Sequence, residues 1–179
     1  IIDYNDGRII ISVSESADTR ANNLVIYGGF SLANKTRDTG ASAVTISGAS
    51  LTQGRVSSII LTISEVERSL AIALSGTIGG DGGSVVLDVS AGSFQDLAGN
   101  SNSDNLNLTV TEISDTTKPV VQNAQVELST GVLRIYISET VDGTPLSLVN
   151  NSKFSIVNGI ASESILSDAT FTAVDLTVM

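Results

Sequence analysis

At 179 residues, with 9 basic residues against 19 acidic ones and a net charge of −10, the chain repels phosphate backbones and anionic membrane surfaces. It has no histidine, which removes the usual general base, the Ser-His-Asp arrangement and histidine metal sites, and no cysteine, which removes disulfides and thiolate metal sites. No run reaches the roughly 18 apolar residues of a membrane span, so neither a nucleic-acid partner nor membrane insertion is expected.

Sixteen glycines, two prolines and apolar residues alternating with Ser, Thr and Asn suit short strands and turns. In chain order, strands are predicted at residues 1–4, 8–14, 24–32, 56–64, 69–78, 84–89 and 105–111. The second carries Ile9, Ile11 and Val13 on one face and leads into a polar stretch, 15–23, read as a loop. Between the fifth and sixth lies the turn Gly79-Gly80-Asp81-Gly82-Gly83, whose glycines accept positive φ without steric cost. In the last strand Leu106, Leu108 and Val110 alternate with Asn105, Asn107 and Thr109. The expected core joins Ile9, Ile11, Val13, Phe30, Leu61, Ile63, Leu70, Ile72, Leu74, Val85, Leu87, Val89, Phe94, Leu106, Leu108 and Val110.

From residue 126 the opening of the chain returns. Gly7, Ile11, Ser14, Glu15 and Asp18 recur as Gly131, Ile135, Ser138, Glu139 and Asp142, at 131 − 7 = 124 residues. Phe30-Ser31 recurs as Phe154-Ser155 and Asn34 as Asn158. Later the spacing drops, with Leu61-Thr62-Ile63 matching Leu176-Thr177-Val178 at 176 − 61 = 115, as if a nine-residue insertion at 37–45 were missing from the second copy. Long-period self-similarity marks a tandem array. The expected organisation is a first repeat at 1–113, a linker at 114–118 and a partial second repeat at 119–179 that stops opposite Ser64.

Domains strung along a chain place entry and exit at opposite ends, which calls for an odd number of strand passes. Seven antiparallel strands in about 115 residues read as an immunoglobulin-like sandwich. The expected fold class is therefore all-β, as tandem immunoglobulin-like antiparallel β-sandwiches, one complete and one truncated.

Three motifs carry a family resemblance: Asp115-Thr116-Thr117-Lys118-Pro119 before a first strand, Ser138-Glu139-Thr140-Val141-Asp142 after a second, and Phe94-Gln95-Asp96-Leu97-Ala98-Gly99-Asn100 before a last. With them the chain resembles the bacterial Ig-like repeats of large surface adhesins and S-layer-associated proteins. The resemblance implies an extracellular, cell-surface location and a spacer role, as stalk or filament wall, whose partners are neighbouring repeats of the same or an identical chain.

Carboxylates in loops are ordinarily just solvated; the functional alternative is Ca2+, which takes six to eight oxygen ligands. The strand order predicts that Asp115, Glu139 and Asp142 meet at the junction between repeats, with Asp81 facing it. Glu15 and Asp18 are expected at the far end of the first repeat with Asp96 and Asn100. A rival reading makes the loop at 37–45 an adhesin-type module contacting a glycan or protein, since insertions on a scaffold often carry function. An enzyme is not expected: a paired-carboxylate glycosidase needs a sugar-stacking platform, and the chain has no Trp, four Phe and three Tyr. Lys35, Lys118 and Lys153 are the only candidates for an isopeptide crosslink, and Lys118 and Lys153 read as solvated. Sequons at Asn34, Asn107 and Asn150 are no more than chance supplies in a chain this rich in Ser and Thr.

Overall fold

The computed structural model describes residues 1–20, 28–34, 43–142, 149–158, 161–164 and 169–170. The chain divides into two units, Ile1–Lys118 and Pro119–Met179. The first unit carries β1 (Ile2–Asp3), β2 (Arg8–Asp18), β3 (Phe30–Ala33), β4 (Ala43–Thr45), β5 (Ser50–Leu51) and β6 (Arg55–Thr62), then helix α1 (Glu65–Ala73). It continues with β7 (Val86–Val89), β8 (Gln95–Asp96), β9 (Asn105–Thr109) and β10 (Glu112–Ile113).

These strands form two sheets. One has the order β10-β1-β2-β6-β5, with β8 also joining β2; the other has the order β4-β3-β7-β9. Every pairing is antiparallel except that of β1 with β10, the first strand with the last. Period-two alternation of branched residues explains the first sheet: Ile9 faces Leu61 and Ile11 faces Ile59 across β2 and β6. In the second sheet Phe30 pairs with Val89 and Leu32 with Leu87. Ile2, Tyr4, Ile9, Ile59 and Leu61 from one sheet share a single apolar cluster with Phe30, Leu32, Val44, Leu87 and Val89 from the other, so the core lies between the two sheets. Among the described residues the protein is mostly β, with several antiparallel sheets and one short helix.

That helix overturns the strand expected at 69–78. Ser64 caps it, accepting from the Glu67 amide, while the Glu67 carboxylate reaches back to the Ser64 amide; this reciprocal box satisfies donors that a helix start otherwise leaves open. Leu70 consequently faces solvent, and Ile72 and Leu74 only half-pack against the core. Leu106 and Leu108 are also exposed, because β9 is an edge strand of the second sheet. The remaining expected core residues are buried or half-buried against the cluster. The loop expected from residue 15 is likewise corrected: β2 continues to Asp18, its register shifting between Ser12 and Ala17 so that its end pairs with both β6 and β8. Residues 24–27 of the strand expected at 24–32 lie outside the described residues.

The second unit carries β11 (Val121–Glu127) paired antiparallel with β12 (Val132–Ile137), a short 3-10 turn at Asn151–Lys153, and the hairpin of β13 (Ser155–Asn158) with β14 (Ala161–Ser164). Its first hairpin reproduces the register of β1 and β2. Ile2 faces Ile9 and Asp3 faces Arg8; 124 residues on, Val126 faces Leu133 and Glu127 faces Val132. Both turns close through a glycine in the left-handed region, Gly7 at φ 68 and Gly131 at φ 70, a conformation in which a side chain would be strained.

Candidate functional site

The polar centre of the first unit is built where the end of β6 and the start of α1 meet the β1–β2 turn. Arg68, buried in the first turn of α1, holds Glu65 in a two-pronged ion pair, Nε to Oε2 at 2.7 Å and Nη2 to Oε1 at 2.8 Å. Its Nη1 donates to the Tyr4 carbonyl at 2.7 Å and to Asp115 Oδ2 at 2.6 Å. The segment expected as a linker is thereby fastened to the first unit. Asn5 adds to this: its Nδ2 donates to the Ser114 carbonyl, and its Oδ1 accepts from the amide and hydroxyl of Thr116 and from the Thr117 hydroxyl.

Glu67 forms the second anchor. It accepts from the amides of Ser47 (2.5 Å), Gly48 (2.7 Å) and Ser64 (2.9 Å), and from the Ser64 hydroxyl. Burial alone would raise its pKa, but these bonds favour the ionised form and hold it below the ordinary carboxylate value. On the other side of the turn the fully buried Tyr4 donates its hydroxyl to Glu112 Oε1 at 2.9 Å; burial first, then the Glu112 bond and charge, pushes the phenol pKa up.

Four of the expected calcium ligands, Asp115, Asp81, Asp18 and Asp96, have protein partners. Asp115 holds Arg68 through Oδ2, and its Oδ1 accepts from the Thr117 amide. Asp81 accepts from the Asn34 side chain at 2.6 Å and the Gly83 amide at 2.8 Å. Asp18 is buried at the end of β2 and ion-paired with Arg20, whose Nε lies 2.7 Å from Oδ1. Asp96 closes its own turn, accepting from the amides of Ala98 and Asn100 and from the Asn100 side chain. The last is the largest of the bonds that keep its pKa low. Asp18 and Asp96 do sit on paired strands, but Ala17 is the residue opposite Asp96, so the two carboxylates take opposite faces of the sheet. Glu15 is exposed on β2; Glu139 is buried and Asp142 exposed in the second unit.

Among the described residues no group of three or more Asp, Glu, His or Cys side chains is placed to hold a metal ion. In this arrangement Asp18 and Asp115 hold guanidinium groups, and Asp81 and Asp96 hold N–H donors. Residues 37–42 of the loop at 37–45 lie outside the described residues, and the rest of it, Ala43–Thr45, is β4, paired with β3. Lys118 and Lys153 are exposed; Lys35 lies outside the described residues. Of the sequon asparagines, Asn34 donates its side chain to Asp81, Asn107 is exposed, and Asn150 caps the 3-10 turn through its side-chain oxygen.

Arg68, Glu67 and Asn5, which do most of the polar work, were not among the expected site residues. The Ser64-x-x-Glu67 capping pattern was the available signal for the first two; Asn5 bonds locally to Asp3, but its contacts to residues 114–117 span more than a hundred residues and leave no mark in the sequence. No helix among the described residues is long and apolar enough to cross a membrane. Comparison with family models, curated proteins and solved structures gave no match to this chain.

Proposed function

We propose that the chain is a structural repeat segment, a stalk, spacer or filament wall of an extracellular surface protein, built from immunoglobulin-like sandwiches in tandem. The observation that carries this reading is the shared hairpin: β1–β2 and β11–β12 have the same register and the same left-handed glycine 124 residues apart. Two further features support it. The polar groups of the first unit are spent on holding its own segments together, and residues 114–117 are bonded to that unit, which favours a defined exit for the chain.

The test is location and shape in the native source. Antibodies raised against residues 1–118 should label intact cells, and surface shaving should release the epitope within extended, beaded particles. Recovery of the epitope only from the interior of lysed cells would refute the reading. The adhesin-type alternative is separated by deleting residues 37–42, which spares β4 and its buried Val44: loss of saturable binding to a glycan or protein ligand, with the melting transition kept, would favour it.

A further inference from the structure

We propose that Asn107 is an acceptor for an N-linked glycan, and that the glycan covers the open edge of the second sheet of the first unit. The inference rests on the cell-surface reading above, since the sugar donor is a membrane-borne polyprenyl-pyrophosphate oligosaccharide that chains meet on export. As a motif a sequon means little, but the fold sorts the three that this chain carries. Asn34 Nδ2, the atom that a sugar would have to occupy, is held by Asp81 at 2.6 Å, and Asn34 Oδ1 is buried. Asn150 turns its side chain onto its own sequon: Oδ1 accepts from the Ser152 hydroxyl at 2.7 Å and from the Ser152 amide at 3.2 Å. Asn107 and Thr109 are both exposed on β9, and among the described residues neither side chain makes a hydrogen bond.

The backbone gives the site its shape. Asn107 has φ 60 and is, among the described residues, the only one other than glycine in the left-handed region. It lies where β9 slips against β7: Leu108 faces Leu87 and Asn105 faces Val89, so Leu106 and Asn107 together oppose Asp88. The buried Asp88 accepts from the Asn107 amide at 2.6 Å and pins this bulge. Asn107 is thus tied down by its backbone while its side chain stands in solvent, as a bulky substituent on Nδ2 requires. Location supplies the second argument. The two sheets of the first unit end in β10, β5, β4 and β9, and β9, at five residues, is the longest of these edges. The exposed Leu106 and Leu108 flank Asn107 on it. An edge with bare apolar side chains invites pairing with another chain, and bulges and covers are how such edges are blunted. In the transfer Asn107 Nδ2 bonds to C1 of the first sugar and the bond from C1 to the pyrophosphate oxygen breaks. Polyprenyl pyrophosphate leaves, and the amide gives one proton to a base of the transferase.

The test is peptide mapping of the chain from its native source, after enzymatic release of N-glycans in heavy-oxygen water, which leaves a mass tag at each former acceptor. A tag at Asn107 and none at Asn34 is expected; no tag at Asn107, or a tag at Asn34, overturns the assignment. The edge role is tested on the full chain secreted by the same host with Thr109→Ala, which abolishes the sequon and leaves Asn107 and its bulge in place. Sedimentation should show this variant self-associating at concentrations where the parent chain does not, with slowed amide exchange in β9, and adding Leu106→Lys should reverse both. A glycan-free variant that associates no more than the parent overturns the edge role. Particles shed from the cell surface with Asn107 untagged sink the glycan alone, whereas a tagged chain found outside extended particles sinks the spacer reading alone.

Discussion

Arg68 and Asp115 meet at 2.6 Å although 47 residues separate them, and through this pair the helix of the first unit grips the segment that leaves it. The guanidinium is buried and both carboxylates it holds are mostly covered. Removing it leaves Glu65, Asp115 and the Tyr4 carbonyl without their shared donor.

Arg68→Ala is therefore expected to destabilise the first unit by about 3 kcal/mol, the lower end for breaking a buried ion pair from one side, because its partners retain some solvent. Denaturant titration measures this. Exchange at the Thr117 amide should accelerate more than exchange in β6, which a uniform loss of stability would not produce.

Glu67→Gln removes the carboxylate that three backbone amides hold. Its folded pKa lies below the ordinary 4.5, so its contribution is fully present above pH 4.5 and is lost as the pH falls through the folded value. At pH 7 the variant should lose about 2 kcal/mol, the scale of hydrogen bonds to a charged group. Below the folded pKa its stability should converge on that of the parent chain; a gap independent of pH would show that the charge is not the cause.

Gly7→Ala and Gly131→Ala place the same methyl group in the same left-handed conformation with different surroundings. Both should lose about 1–2 kcal/mol from backbone strain. Among the described residues only Gly7→Ala adds a close contact, with Ile63 at 3.2 Å from both its Cγ1 and its carbonyl oxygen, so it should be the more destabilising of the two. Equal losses in thermal melts would mean that the β6–α1 junction yields freely.

Calcium should leave the melting temperature of the chain unchanged. A real site saturated a hundredfold would add about 2.7 kcal/mol. A calcium-dependent upward shift, abolished by chelator and by Asp115→Asn, would show that an ion displaces Arg68 from Asp115.

Alternation made the strands legible: Ile9, Ile11 and Val13 sit on β2, and Leu87 and Val89 on β7, in the predicted parity. The helix was missed because the run from Leu70 through Leu74 also alternates, and in so short a run a period of two and a period of 3.6 are hard to separate. The capping pattern at Ser64 and Glu67 arbitrates, since a strand has no use for it. Leu106 and Leu108 have the alternation of a buried face, yet their exposure is decided by where the strand falls in the sheet order. The carboxylates are a different case. Sequence shows where Asp18, Asp96 and Asp115 lie along the chain, but their partners are set by backbone turns and by arginines whose placement depends on the fold.

The parallel pairing of β1 with β10 bears on how the first unit meets tension. The Ile2 amide donates to the Thr111 carbonyl and the Tyr4 amide to the Ile113 carbonyl, so these bonds run across the direction in which Ile1 and Lys118 would be drawn apart. A pull on those two ends slides the strands past each other and loads the bonds together, in shear, instead of opening them one by one. The Arg68 and Asn5 contacts to residues 114–117 lie beyond the same strand end and lengthen the sheared patch. Resistance to forced unfolding follows the height of the barrier and not the equilibrium stability. A unit joined in this way yields abruptly at high load, holding its length until it does.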